Sequence, residues 1–341
     1  MKALQLVQYG EPEEALEFRE DVTAPNKESL GSAEVYVKVC AVSINPVDWK
    51  IVKGMLKPLW KLELPVTIGF DVSGTVEAVG SNVQDFAAGD EIISRVHNIG
   101  TFQEYVVIDQ KLVAKKPANI GLVESAGIPL AAQTALQSCE DVDLGSKKIN
   151  KTFVPAGLGG VGSYATQILS NVYKVPVATT VSTGKVERMK SLVPDAEVID
   201  YKKEDYTQNL SGVDFILDTT GDLGNEAKVV SKGAIVRSIA ATPQSDGVSE
   251  KFGSPICFIR WYLDFSSWKE SRGLKEKNVD YKYFWLNPSG ERLSKIARYI
   301  EEEKIQVITD RVYEWADAKA AFSHAIHGSL TGKIVVKVSS D

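Results

Sequence analysis

The sequence predicts a mixed α/β protein in which a β-rich segment precedes a doubly wound parallel sheet. Three observations lead to this prediction: short apolar runs separated by glycine and proline fill residues 1–110, strands alternate with helical segments from residue 148 onward, and a glycine-rich turn joins a buried strand to an amphipathic helix within residues 152–172. A chain of 341 residues also exceeds what one hydrophobic core usually holds, so we expect two domains.

The first segment is expected to form a small antiparallel barrel or sandwich, because its apolar runs are short and closely punctuated by turn residues. Its predicted strands are residues 3–7, 35–42, 72–79, 91–96 and 102–108. A helical link over residues 124–139 then leads to predicted strands at 149–154, 175–181, 197–200, 215–219, 234–239 and 281–286. Helical segments between several of these strands indicate a parallel sheet with right-handed crossovers. A helix at 291–303 follows, and a last strand at 331–338 could return to the first domain.

The glycine turn carries the pattern G-x-G-x-x-G between a strand and a helix, which is typical of a dinucleotide-binding βαβ unit. Gly157 would allow the tight turn, Gly159 would let the backbone approach a pyrophosphate, and Gly162 would let the helix pack closely on the strand. With Gly160 and Val161, these residues open a helix whose N-terminal N–H groups can bind that pyrophosphate.

Composition excludes several classes of partner. A formal charge of −6 argues against nucleic-acid binding, which needs a basic face. No run of about 18 apolar residues is present, so no transmembrane segment is expected. The three cysteines, Cys40, Cys139 and Cys257, are far apart and fit a reducing cytosol, so a cytoplasmic protein is expected.

A series of short motifs follows one order along nearly the whole chain. They are N-P-V-D at 45–48, G-F-D-V-S-G at 69–74, G-D at 89–90, G-T-F-Q-E-Y at 100–105, I-P-L at 128–130, T-A at 134–135, the glycine turn, I-D-Y at 199–201, D-T-T-G at 218–221 and T-G-K-I-V at 331–335. This series resembles the medium-chain dehydrogenase/reductase superfamily, in its zinc-free quinone oxidoreductase and enone oxidoreductase branch.

The resemblance implies a GroES-like catalytic domain formed by residues 1–124 and 288–341, and a Rossmann domain formed by residues 125–287, with NADPH in the cleft between them. It also implies a homodimer, or tetramers built from dimers, joined partly through the last Rossmann strands.

No metal site is expected. Zinc-using members of the superfamily hold the ion with a cysteine, a histidine and a third cysteine or carboxylate. The first two of these positions look like Asn45 and Phe70 here, and neither residue can ligate zinc as a thiolate or an imidazole. Hydrogen bonds would then have to polarise the substrate carbonyl.

The end of the second Rossmann strand favours NADPH over NADH. An NAD-binding unit has an acidic residue about 20 positions past the glycine turn, whereas this chain has Thr180 there and no acid before Glu187. Ser182, Thr183 and Lys185 offer hydroxyls and an ammonium to a 2′-phosphate. The alternative is that they form only a polar turn.

Other cofactor contacts come from the resemblance. Tyr201 matches a tyrosine that reaches the 2′-phosphate, and Phe284 and Leu286 match positions that border the nicotinamide. Further cofactor-binding positions are assigned to Thr134, Thr219 and Ile239.

The predicted reacting centre lies in the loop after residue 44. By resemblance, Asn45 would meet the nicotinamide ribose or the substrate oxygen, and Lys50 would lie near cofactor and substrate; a turn cap and a solvated side chain are the alternatives. Trp49 replaces a tyrosine found in many relatives, and an indole cannot act as an acid near neutral pH. The proton donor is therefore open, with His97 as one candidate.

The expected function is NADPH-dependent, zinc-independent transfer of hydride to small hydrophobic α,β-unsaturated carbonyls or quinones. The alternatives are reduction of an aldehyde or ketone carbonyl, and a non-catalytic protein that binds NADPH. The aromatic stretch at residues 252–285 could be core or a subunit contact, a lid over the substrate, or a membrane-surface patch.

Overall fold

The computed structural model describes residues 1–253 and 255–339. The strands are β1 (Ala3–Leu6), β2 (Leu16–Arg19), β3 (Glu34–Ile44), β4 (Val66–Thr67), β5 (Asp71–Val79), β6 (Glu91–Arg95), β7 (Tyr105–Asp109), β8 (Val113–Lys115), β9 (Thr152–Val154), β10 (Val177–Val181), β11 (Glu197–Asp200), β12 (Val213–Asp218), β13 (Val230–Ser238), β14 (Asp280–Tyr283), β15 (Thr309–Tyr313) and β16 (Lys333–Lys337). The α-helices are α1 (Pro12–Ala15), α2 (Pro46–Val52), α3 (Leu122–Ser125), α4 (Pro129–Asp141), α5 (Gly160–Gln167), α6 (Val186–Leu192), α7 (Tyr206–Asn209), α8 (Leu223–Val229), α9 (Ser245–Phe252), α10 (Cys257–Glu276), α11 (Gly290–Glu301) and α12 (Ala318–His327).

The β-rich part is built on β3, the longest strand. It pairs antiparallel with β5, β7 and β16, within a sheet whose order is β15-β16-β3-β5-β6-β8, with β7 also on β3. A smaller sheet has the order β2-β1-β4. The pairing of β16 with β3 confirms that the end of the chain returns to the first sheet, as the sequence predicted.

The second sheet is wholly parallel, with the order β11-β10-β9-β12-β13-β14. Numbered along the chain, this order is 3-2-1-4-5-6, that of a dinucleotide-binding doubly wound fold. The predicted mixed α/β class, with a β-rich part and a Rossmann sheet, is confirmed. The order reverses between β9 and β12, and in such sheets the ligand crevice lies at the carboxyl ends of the strands beside that point.

The glycine turn follows β9 and differs in one detail from the prediction. Ala156 adopts the left-handed backbone conformation, with φ 52°, whereas Gly157 does not. Gly157 is needed because a Cβ there would overlap the Thr179 hydroxyl on β10. A Cβ on Gly162 would overlap the carbonyl oxygen of Ala156, so this glycine lets the start of α5 approach the turn that follows β9.

Helix α10 carries much of the aromatic stretch and turns it outward. Its 20 residues bury Leu263 and Leu274 against the protein, whereas Phe258, Trp261, Phe265 and Trp268 are 71%, 61%, 49% and 47% exposed. These four rings form a continuous row, and Trp261 and Phe265 stack with centroids 5.5 Å apart. Among the described residues, no helix is both long enough and apolar enough to cross a bilayer.

Candidate active site

The site begins with a row of side chains across three strands of the β-rich sheet. Ser43 on β3 lies opposite Asp71 on β5, and Asp71 lies opposite Arg95 on β6. Residues directly opposite in antiparallel strands project from the same face of a sheet. The register therefore brings together three polar side chains that are far apart in sequence.

The Asp71 carboxylate is completely buried and accepts hydrogen bonds from three groups. The Ser43 hydroxyl and the Asn45 amide donate to Oδ2 at 2.8 and 2.9 Å, and the Leu130 backbone N–H donates to Oδ1 at 2.9 Å. Leu130 lies in the first turn of α4, where a helix has unpaired N–H groups and favours negative charge. Burial raises the pKa of Asp71, whereas the positive charges of Lys333 and Arg95 and the hydrogen bonds from Asn45 and Ser43 oppose that shift.

Lys333 supplies the positive charge. Its ammonium is buried and donates to the Ile44 carbonyl at 3.0 Å and to Asn45 Oδ1, and it lies 3.7 Å from Asp71 Oδ2. Its aliphatic stem runs beside the glycine turn, since a Cβ on Gly160 would lie 3.3 Å from Lys333 Cδ. One side chain thus connects β16, the loop after β3 and the start of α5.

These contacts fix the orientation of the Asn45 amide. Its oxygen faces an ammonium and its nitrogen faces a carboxylate, so a flipped amide would lose both hydrogen bonds. One Nδ2 hydrogen stays available as a donor. The Asn45 backbone N–H also donates to Asp48 Oδ2 at 2.7 Å, and burial raises the pKa of Asp48 to about 7. Asn45 is the N-cap of α2, and it also belongs to a polar cluster that it forms with Ser43, Asp48, Asp71 and Lys333.

This donor set does not fit the zinc ion of related dehydrogenases. Both polar ends of the Asn45 side chain are engaged, and Phe70 offers no ligand atom. The buried Lys333 ammonium next to Asn45 would also repel a divalent cation. Within residues 1–253 and 255–339, no group of three or more histidine, cysteine or acidic side chains is arranged to hold a metal.

Lys50 and Trp49 lie on α2, directly after Asn45. Lys50 is partly buried, which lowers its pKa, and its ammonium lies 5.8 Å from the centroid of the Trp49 ring. The Trp49 ring packs against the core of the β-rich part. His97, the candidate proton donor, is exposed.

The residues predicted to hold the pyrophosphate lie at the carboxyl ends of the parallel strands. Gly159 is the N-cap of α5, so the N–H groups of the residues that follow have no partner within the helix. Two predicted threonines support the turn: the Thr180 hydroxyl accepts the Ala156 N–H at 3.1 Å, and the Thr219 hydroxyl donates to the Pro155 carbonyl at 2.6 Å. This cradle of backbone donors and small residues fits a dinucleotide.

The four residues predicted at the 2′-phosphate gather at the ends of β10 and β11. The Lys185 ammonium donates to the Leu330 carbonyl at 2.8 Å, next to the turn that begins at Ser182. Tyr201 is 49% exposed, and its backbone N–H is bonded to β10. The Thr183 hydroxyl donates to Asp200 at 3.1 Å, which brings a carboxylate to this turn that sequence reasoning missed.

Three more of the predicted cofactor positions, Ile239, Phe284 and Leu286, follow strands β13 and β14. The Ile239 backbone N–H donates to the Asp218 carbonyl at 3.0 Å, and the Phe284 backbone N–H donates to the Ser238 carbonyl at 2.7 Å. The Leu286 carbonyl accepts from Lys251 on α9 at 3.2 Å. On α4, the buried Thr134 hydroxyl donates to the Leu130 carbonyl within its own helix at 2.7 Å.

A chain of aromatic rings crosses between the two sheets. Trp60 lies with its ring centroid 6.4 Å from that of Phe70 and 6.0 Å from that of Phe252, and Phe252 lies 5.6 Å from Trp285. Phe252 and Trp285, at the two ends of the aromatic stretch, therefore connect the β-rich part to the end of the parallel sheet. Helix α10, between them, exposes its aromatic rings.

The doubly wound sheet, the glycine cradle and the polar cluster beside it define a medium-chain dehydrogenase/reductase. Residues 31–118 match the family described as "Alcohol dehydrogenase GroES-like domain", and residues 195–336 match the family described as "Zinc-binding dehydrogenase".

Similar proteins narrow this class. A 2-methylene-furan-3-one reductase from Solanum lycopersicum is 31% identical, over 98% of this chain and 79% of the relative. A protein from Arabidopsis thaliana named "NADPH-dependent alkenal/one oxidoreductase, chloroplastic" is 29% identical, over 98% of this chain and 79% of the relative. The structure of a quinone oxidoreductase from Coxiella burnetii superposes with a TM-score of 0.81 at 26% identity, over 99% of each chain. The chain belongs to the quinone and enone oxidoreductase branch of the medium-chain dehydrogenase/reductase superfamily.

Four charged residues at the site had no predicted role: Asp48, Asp71, Arg95 and Lys333. A signal for two of them exists in the sequence, because Asp71 and Lys333 are charged residues next to apolar strand segments. Charged side chains are almost never fully buried unless they are paired. The strand register decides which of these residues meet, and local sequence patterns do not reveal that register.

We expect Lys333→Met to destabilise the protein by about 3–5 kcal/mol, because it leaves the buried Asp71 carboxylate without its cation. Chemical denaturation would measure the loss. The double variant Asp71→Asn/Lys333→Met removes both charges and should recover much of it. Lys337→Met is the matched control: it lies on the same strand, its ion pair with Glu314 is exposed, and the cost should stay below about 1 kcal/mol. Equal stability of Lys333→Met and the wild type would contradict a buried ion pair.

Proposed function

We propose that this protein is an NADPH-dependent, zinc-independent reductase that transfers hydride to small hydrophobic α,β-unsaturated carbonyls or quinones. The observation that carries the proposal is the polar cluster next to the glycine cradle, in which Lys333 and Asp71 hold Asn45 where zinc-using relatives have a ligand. The relatives named for methylene-furanone and alkenal/one reduction support the substrate class.

When bound, NADPH supplies a hydride from its nicotinamide ring. The N–H groups at the start of α5 would hold its pyrophosphate. Ile239, Phe284 and Leu286 would border the nicotinamide, with Thr134 on the side of α4. The remaining Nδ2 hydrogen of Asn45 would meet the nicotinamide ribose or the substrate oxygen, and Lys50 would lie beside it. Trp49 shapes the pocket and supplies no proton.

We also propose the domain division at residues 1–124 with 288–341 and at 125–287, which agrees with the separate sheets. We also propose that the protein is located in a reducing compartment, and specifically in the cytosol. Cys139 is buried and Cys257 is exposed, and no disulfide forms among the described residues.

The first experiment is NADPH oxidation by chelator-treated protein with methyl vinyl ketone, a quinone and an aromatic aldehyde, with products identified. Turnover of the enone to a saturated ketone without metal is the expected result. An alcohol product would favour the carbonyl reductase instead, since reduction of C=O removes the carbonyl. NADPH binding without turnover of any of these substrates would favour the non-catalytic alternative.

The choice of NADPH gives a second prediction. Lys185→Ala should weaken NADPH binding by about 1–3 kcal/mol through loss of a charge-assisted phosphate contact, and should change NADH binding little. Titration of both cofactors measures the difference, and Lys190→Ala on the exposed side of α6 is the control. An equal loss for both cofactors would place the phosphate elsewhere, and Asp200 next to Thr183 would then favour NADH.

We further propose a homodimer joined at the β14 end of the Rossmann sheet. β14 is the edge strand, and α10, which precedes it, exposes a row of aromatic rings. A contiguous apolar patch on the order of several hundred Å² is typical of an interaction surface. Analytical ultracentrifugation should show a dimer for the wild type and a monomer for Trp261→Glu/Phe265→Glu. Met55→Glu, at an exposed apolar residue elsewhere, should stay dimeric. A dimeric double variant would rule out α10.

A further inference from the structure

We propose that Arg95 is a further catalytic residue, whose guanidinium binds the substrate oxygen that becomes negatively charged when hydride is added. This inference rests on the proposed reductase function and names a group that can stabilise the charge without a metal.

Arg95 projects from the same face of the sheet as Asp71, at the end of β6. Its guanidinium carbon lies 4.6 Å from the centroid of the Phe70 ring. Phe70 is the residue that stands where zinc-using relatives have a histidine ligand. The cation therefore lies beside the position from which a metal would act in those enzymes.

The guanidinium has donors to spare. One terminal nitrogen donates to the Val96 carbonyl at 2.9 Å and reaches the His97 carbonyl at 3.4 Å. Nε is buried and has no hydrogen-bond partner in the part of the chain that the structure describes. A buried donor left without a partner is destabilising, and an oxygen that accepted a hydrogen bond from it would remove that cost.

Within the described residues, Arg95 donates only to backbone carbonyls and forms no direct ion pair with a carboxylate. The facing Asp71 carboxylate is engaged by Ser43, Asn45 and Leu130, and it forms no ion pair with Arg95. Burial lowers the pKa of Arg95, and Asp71 and Asp48 oppose that shift, so the guanidinium stays charged.

A second cation, Lys251, interacts electrostatically with Arg95. Lys251 on α9 bonds the Leu286 carbonyl, at a position assigned to the nicotinamide. Burial lowers the pKa of Lys251, and repulsion from Arg95 adds to that shift. A site near two cations favours the binding of an anionic oxygen.

The proposed step conserves atoms and electrons. Hydride, a proton with two electrons, would leave the C4–H bond of the reduced nicotinamide and form a C–H bond at the β-carbon of the enone, so that NADPH is oxidised to NADP⁺. The π pair of the C=C bond moves to form the C=C bond of an enolate, and the carbonyl π pair moves onto oxygen. Arg95 would donate hydrogen bonds to that oxygen until a proton from water adds to the α-carbon.

A purely structural Arg95 would only hold the 96–97 loop and stack on Phe70. Chemical rescue separates the two roles. Arg95→Ala should lower kcat for methyl vinyl ketone by about 10²–10³-fold with little change in NADPH affinity, and added guanidinium ion should restore part of it. Arg95→Lys should retain more activity than Arg95→Met. Arg298→Met, an exposed arginine on α11, should leave kcat unchanged.

Binding of 4-nitrophenol to the NADP⁺ complex gives a readout that does not need turnover. Its phenolate mimics the enolate oxygen, so the wild type should lower the pKa of the bound phenol and Arg95→Met should not. Wild-type kcat in Arg95→Met, or a loss that guanidinium does not rescue together with an unchanged phenol pKa, would overturn the proposal. Absence of wild-type turnover on enones and quinones would instead refute the reductase function, and the phenol titration would still report on the anion site.

Discussion

The buried ammonium of Lys333 is the contact on which the rest of the site depends. Its backbone begins the strand that closes the β-rich sheet on β3, its stem packs at Gly160 in the cofactor turn, and its charge orients Asn45. Removing an ammonium and a carboxylate from water costs several kcal/mol each, and well-packed apolar side chains could fill the same space without that cost. We infer that the cluster is retained because it fixes a polar side chain in one orientation next to the cofactor cradle.

The parallel sheet could be predicted because its signals are local. Buried strands are short apolar runs, and the glycine spacing marks the first crossover. Helix α10 could not be predicted in the same way, because it exposes aromatic rings and buries small polar residues such as Ser267 and Ser271 on its inner face. Its hydrophobic pattern therefore does not indicate which face meets the protein. Gly157 shows a subtler limit, since the spacing identified the position but the reason for it is a side chain on the neighbouring strand.

The residues of the candidate site fall into the same two groups, those that a local sequence pattern identifies and those that only the tertiary structure brings together. The cradle and the turn at Ser182–Lys185 are continuous in sequence, so motif spacing found them. The polar cluster joins residues 43, 71, 95 and 333, which only strand register brings together. Asp200 was missed for a related reason, because it reaches Thr183 from an adjacent parallel strand and not along the chain.

In zinc-using relatives one divalent ion organises its ligands and also polarises the substrate oxygen. In this chain two cations stand near the same point, and their hydrogen bonds assign them different tasks. The Lys333 ammonium donates to two protein oxygens and lies 3.7 Å from the Asp71 carboxylate, so its charge is already paired within the protein. The Arg95 guanidinium has five donors and only carbonyl oxygens at one nitrogen, so it keeps both charge and donors for an incoming oxygen. Lys333, whose charge is paired within the protein, can therefore keep the site in its arrangement, and Arg95, which keeps a donor without a partner, can take part in the reaction.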